Sequence, residues 1–175
     1  LEEILENPSD FQFTPLPNPN TNLGFTNHHY WVRFKLSNTS DDPKRIFLET
    51  GRPITDVADL HRIETTGEIT IFKNGDLIPF SDRPLDHRKL LFPIQLEPNS
   101  SSEYYLHLHS DGEVINLPLL LHDDFTLIKA TYVDQLVFGI FYGLLALAAI
   151  TYLFFYFGIH EKSFLLYSFY VLSVA

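Results

Sequence analysis

Two short stretches of the chain carry residue types suited to recognition chemistry. Trp31-Val32-Arg33-Phe34-Lys35 alternates an aromatic plane with two cations, and Tyr105-Leu106-His107-Leu108-His109 alternates a phenol with two imidazoles. Alternate residues of a β-strand share a face. Trp31, Arg33 and Lys35 therefore make one polar-aromatic surface, and Tyr105, His107 and His109 make another. An aromatic face with hydrogen-bonding neighbours can stack on a sugar ring, so Trp31, Arg33, Tyr105 and His107 are the candidate ligand-binding residues. The structural alternative is that Trp31 packs under a loop and Arg33 pairs with a carboxylate. His107 and His109 could also bring two imidazoles to one metal ion. A third ligand would be needed, and His28, His29, His61 and His122 show no spacing that supplies it. No metal and no cofactor is expected; the eight histidines are expected at solvated or half-buried places, with sensitivity to pH.

Catalysis would require convergent acid and base groups. Asp41-Asp42 falls in a turn cluster and Asp123-Asp124 in a linker, so both pairs read as solvated charge or capping. No G-x-S-x-G element and no glycine-rich phosphate loop occurs, and no active site is expected in this chain. With no cysteine there are no disulfide staples and no thiolate zinc sites. The net charge of −10, without a basic run, makes nucleic acid a poor partner. Asn38-Thr39-Ser40 and Asn99-Ser100-Ser101 match the glycosylation pattern but read simply as turns.

The elements that must position these residues are strands. Residues 29–37 alternate, with Tyr30, Val32, Phe34 and Leu36 opposite Trp31, Arg33 and Lys35. Residues 38–43 form a turn cluster, followed by strands at 45–49 and about 57–63. Residues 69–73, Asn74-Gly75 and 76–79 read as a hairpin, because Asn-Gly supplies the positive φ angles of a type I′ turn. Further strands are expected at 89–96, 103–109 and 114–121. Seven or eight short strands, punctuated by proline and glycine, predict an all-β fold: an antiparallel, jelly-roll-like β-sandwich over residues 1–124.

The mean hydropathy of +0.00 hides two unlike segments. Residues 1–134 hold 11 of the 12 Lys and Arg and 21 of the 22 Asp and Glu, and so the whole net charge. Gln135–Ile159 contains no charged residue and no histidine. Residues 136–159 would make a helix of about 36 Å, against a hydrocarbon core of about 30 Å, and are expected to cross the bilayer. Residues 125–135 are the expected linker, with Asp124 able to cap a helix that runs into the membrane. Residues 160–163 read as a short polar loop, and 164–175 as the start of a second span cut short by the end of the sequence. Lys129 and Lys162 flank the first span evenly, so charge leaves its orientation open. Gly139 and Gly143 form a G-x-x-x-G pair for close helix packing, against sister helices of the same chain or in a homodimer.

This order of parts resembles the bacterial seven-transmembrane receptors with diverse intracellular signalling modules, specifically their larger extracellular domain type. The residues that carry the resemblance are Tyr30-Trp31-Val32-Arg33-Phe34, Leu36-Ser37-Asn38, Asp56, the strand around Leu60 and Asn74-Gly75. Pro79-Phe80-Ser81-Asp82-Arg83 and Tyr104-Tyr105-Leu106 continue it. Gly139-Ile140-Phe141-Tyr142-Gly143-Leu144-Leu145 and His160 to Tyr167 resemble the first span and the entry to the second. The family often carries Tyr-Asn in the first span, where this chain has Tyr152-Leu153. The resemblance implies a sensor domain in the periplasm, outside the bacterial cytoplasmic membrane. It also implies a fold like that of carbohydrate-binding modules and a relay to a cytoplasmic output module that lies outside this sequence. Expected partners are the lipid bilayer, a carbohydrate or other small ligand, and other helices of the receptor. The second reading is a membrane-tethered binding or scaffold module with no switching role.

Overall fold

The computed structural model describes residues 1–6, 9–16, 21–64, 68–117 and 119–174. They fall into two units, Leu1–Asp124 and Phe125–Ala175.

The first unit is built of antiparallel sheets. After a short helix, α1 (Glu2–Glu6), come β1 (Asn22–Thr26), β2 (Tyr30–Asn38), β3 (Lys44–Glu49), β4 (Val57–Ile63) and β5 (Ile69–Asn74). A single 3-10 turn at Phe80–Asp82 precedes β6 (Leu91–Leu96), β7 (Ser100–His109), β8 (Glu113–Asn116) and β9 (Leu120–His122). One sheet has the order β2-β7-β4-β5, a second β6-β3-β9, and β1 pairs with β8. The alternation in β2 and β7 decides which face is buried. Leu106, Leu108 and Tyr104 of β7, with Leu60 and Ala58 of β4, share one core with Leu48 of β3 and Phe92, Ile94 and Leu96 of β6. The large sheets thus bury their apolar faces against one another, the arrangement of a β-sandwich.

Polar side chains fix the loops at its ends. Asn38 is buried; its Nδ2 donates to the carbonyls of Asp42, Leu96 and Glu97, and its Oδ1 accepts from the Ser40 amide and hydroxyl. At the other end Asp56 Oδ2 accepts from the Ser110 hydroxyl and, at 2.7 Å, from the Asp111 amide, which sets the turn that ends β7. Pro93 is tolerated inside β6 because β6 is an edge strand.

Three expectations need correction. Asn74-Gly75 does not open a hairpin: residues 76–79 form no strand, and the Asp76 and Leu77 amides donate to Thr55 and Asp56 carbonyls. Gly75 has φ +139°, and a Cβ there would lie 2.1 Å from the Asp56 carbonyl oxygen, so glycine serves a close backbone approach. The stretch 114–121 is two strands, β8 and β9, which pair with different partners; Pro118 between them lies outside the described residues. The strand expected at 89–96 begins at Leu91, and β1 was not expected from the sequence.

The second unit is helical. One helix, α2 (Asp124–Ile159), runs 36 residues, about 54 Å, and takes in both 125–135 and 136–159. It is long and apolar enough to cross a membrane. His160 adopts φ 62° at the turn into α3 (Lys162–Val174), an apolar helix of 13 residues; Ala175 lies outside the described residues. Tyr152 stacks on Tyr167 at 5.4 Å, and the buried Ser168 hydroxyl donates to the Ala149 carbonyl at 2.9 Å. Gly139 and Gly143 have nothing within 4 Å of where a Cβ would stand, so among the described residues that face of α2 is uncovered.

Candidate functional site

β2 and β7 are antiparallel neighbours, and the register sets Trp31 against His107, Arg33 against Tyr105 and Lys35 against Glu103. On the far side of β7, Asp59 stands across from His107 and His61 across from Tyr105. The two motifs read separately in the sequence therefore form one surface, the face of the four-stranded sheet turned away from the core. Trp31 stacks on His107 with centroids 4.6 Å apart, and His61 tilts against it at 5.2 Å. His29, just before β2, lies between His107 and His109 at 5.1 and 4.1 Å, and its Nδ1 is 2.8 Å from His107 Nε2.

The N-terminal segment runs over this face. Ile4 of α1 is buried, and Glu2 and Glu3 border a hollow with His61, Ile69 and Ile71. Phe13 meets the Tyr105 ring edge-on at 6.0 Å. The Arg33 guanidinium lies 5.9 Å from both ring centroids, and its Nε donates to Glu103 Oε1 at 2.5 Å. Residues 12–16 wall a cavity of about 480 Å³ along the free edge of β2, lined by Gln12, Phe13, Trp31, Arg33, Leu117 and Leu119 among others.

Trp31 and Arg33 line that cavity, while Tyr105 and His107 sit behind them, Tyr105 only 4% exposed and His107 half-buried. Burial, then the neighbouring His29, His61 and His109, pushes the His107 imidazole down to about 4, and burial lowers His61 as well. Burial likewise raises the Tyr105 phenol. The surroundings of Trp31 are thus neutral imidazole and aromatic surface near pH 7, with one guanidinium at the mouth. Among the described residues no three His, Asp or Glu side chains converge in a way that could hold a metal ion.

Sequence reading missed Phe13 and Gln12, which follow no strand alternation, and gave His29 and His61 no geometry. The signal for the two histidines was pairing: His61 sits on β4 and His29 just before β2, the two strands that flank β7, and only the sheet order reveals it.

The chain thus combines a β-sandwich that carries an aromatic cavity with an apolar helix long enough to cross a membrane. Residues 1–123 match the family model described as 7TMR-DISM extracellular 2. The chain belongs to that family, and it is a membrane protein whose N-terminal domain lies outside. No curated protein matches it.

Proposed function

We propose that this chain is the ligand-sensing part of a bacterial membrane receptor, with its sandwich in the periplasm, anchored in the cytoplasmic membrane. The ligand is a carbohydrate or another small molecule of similar shape, held in the cavity between Trp31, Arg33 and residues 12–16. The observation that carries the reading is that cavity, in which an indole and a guanidinium face a concave, mostly apolar wall. Tyr105 and His107 act from behind, fixing the guanidinium and the indole. The strand pairings support a jelly roll, the fold class expected for carbohydrate-binding modules. With β8 and β9 taken as one interrupted strand, first pairs with last (β1 with β8) and second with seventh, third with sixth and fourth with fifth.

The relay to an output module passes through α2. Asp124, its first residue, is ion-paired with Arg45 of β3. Ligand shifts the receptor only insofar as it binds one arrangement more tightly than another. Other receptor helices cover the Gly139–Gly143 face, and no catalytic step is assigned to this chain.

The test uses the full chain in lipid nanodiscs on a glycan array, followed by calorimetry on each hit. Trp31→Ala and Arg33→Ala are expected to weaken binding at least about tenfold, a loss of roughly 1.4 kcal/mol or more. Equal binding by wild type and both variants would overturn the placement of the ligand. In a chimera bearing an output module, Phe125→Gly with Leu127→Gly should uncouple binding from output by softening α2; undiminished output would show that the relay does not pass through this part of α2.

A further inference from the structure

Imidazoles crowd the chain's single tryptophan. His107 stacks on Trp31, His29 stacks on His107 and on His109, and His61 tilts against the indole at 5.2 Å. The hydrogen bond between His29 Nδ1 and His107 Nε2, at 2.8 Å, requires one nitrogen to donate and the other to accept. A first proton can be held on the donating ring with the bond kept, but a further proton adds at the accepting nitrogen; two N–H groups of two cationic rings then face each other, and the contact turns repulsive. We propose that this stack is an acid sensor whose ligand is the proton: protonation breaks the His29–His107 bond and loosens the packing on Trp31.

Charged and titratable groups of both signs face the stack from the elements around it. On β7 itself stand Tyr105, His109 and Glu103, the last already paired with Arg33 of β2. From β4 come His61 and Asp59; the Asp59 carboxylate favours a proton on His61. β5 brings Lys73, in register with Asp59. The N-terminal segment adds Glu2 and Glu3 beside His61. Burial and like-charged neighbours thus place the response on the acid side of an ordinary histidine, whose midpoint is about 6.5, toward about 4. A domain outside the cytoplasm meets the pH of its surroundings, so such a response has a stimulus. The inference goes beyond the ligand reading and does not require the cavity beside Trp31 to be filled.

Trp31 reports on the stack directly, because protonated imidazole quenches indole emission and no other tryptophan contributes. The experiment titrates the full chain in nanodiscs from about pH 8 to about pH 4, following tryptophan emission and far-ultraviolet circular dichroism together. A reversible loss of emission below about pH 6.5, with unchanged dichroism, is expected. His107→Gln should abolish it, whereas His122→Gln, on another sheet, should retain it. If His107→Gln does not fold, His29→Gln removes the same hydrogen bond and a like-charged neighbour of His107 from an exposed position, and should move the loss of emission to higher pH. Constant emission over the whole range would overturn the proposal. So would a change that coincides with loss of dichroism, or one that persists unaltered in the folded variant.

Discussion

Two clusters of polar side chains flank the sandwich core, and they treat histidine in opposite ways. On the four-stranded sheet, His29 stacks on both His107 and His109, and among the described residues no carboxylate is bonded to any of the three. On the three-stranded sheet, His122 Nε2 lies 2.9 Å from Glu49 Oε2, and Lys89 Nζ lies 3.1 Å from Oε1 of the same carboxylate. Glu49 itself is 8% exposed. A buried carboxylate with a cation on one oxygen and an imidazole on the other holds loop to strand. A stack of imidazoles without such an anion is stable only while it stays neutral. The difference assigns the Glu49 cluster to holding the fold and the imidazole stack to responding.

The largest effect should come from removing the shared anion. Glu49→Ala leaves Lys89 and His122 facing a largely buried void, and should cost about 3 kcal/mol in chemical denaturation of the full chain. A loss below about 1 kcal/mol would show that solvent already screens this cluster, and the contrast between the two sheets would fail. Next comes His122→Gln, which keeps Lys89 on the carboxylate and can still donate one hydrogen bond. The expected cost is about 1.5 kcal/mol, read by the same denaturation, and smaller than that of Glu49→Ala in every buffer.

The two clusters also differ in how far the sequence reveals them. The alternation of residues 30–36 and 104–109 is written in the chain, because a sheet with one buried face needs period two. That Trp31 would meet His107 is not, since the partners are 76 positions apart and register depends on which strands become neighbours. Asn74-Gly75 misleads for a related reason. Glycine is demanded there by the Asp56 carbonyl, a contact 19 residues away, and local turn chemistry gives the wrong cause. Phe13 and Ile4 reach the sheet from a segment with no regular strand, so no periodic signal marks them. The membrane helix is the opposite case: an uncharged run identifies it whatever its neighbours are.

A third experiment sets the clusters against each other with pH. The folded His107 pKa, about 4, lies below the unfolded value of about 6.5, so between these values the unfolded chain binds more protons. Native stability contributed by this group is therefore full above pH 6.5 and falls as the pH drops toward 4. Because the ring is partly open to solvent, the loss should be about 1 kcal/mol and absent in His107→Gln. Equal slopes for wild type and variant over that window would mean that the stack carries no proton linkage.

The smallest effect should come from Arg33→Ala, on the same sheet but at its rim. The Arg33 side chain is 50% exposed and its partner Glu103 36%, so the pair at 2.5 Å is well hydrated despite its short distance. Exposed pairs of this kind commonly contribute a few tenths of a kcal/mol, and the guanidinium stands 5.9 Å from the Phe13 and Tyr105 centroids, at the outer reach of a cation–π contact. Stability should thus fall by less than about 1 kcal/mol, while ligand binding in the cavity falls at least about tenfold. That split between stability and binding separates a recognition residue from a structural one. Were Arg33→Ala to unfold the chain as readily as Glu49→Ala, Arg33 would belong with the residues that hold the fold, and the cavity would lose the one cation that lines it among the described residues.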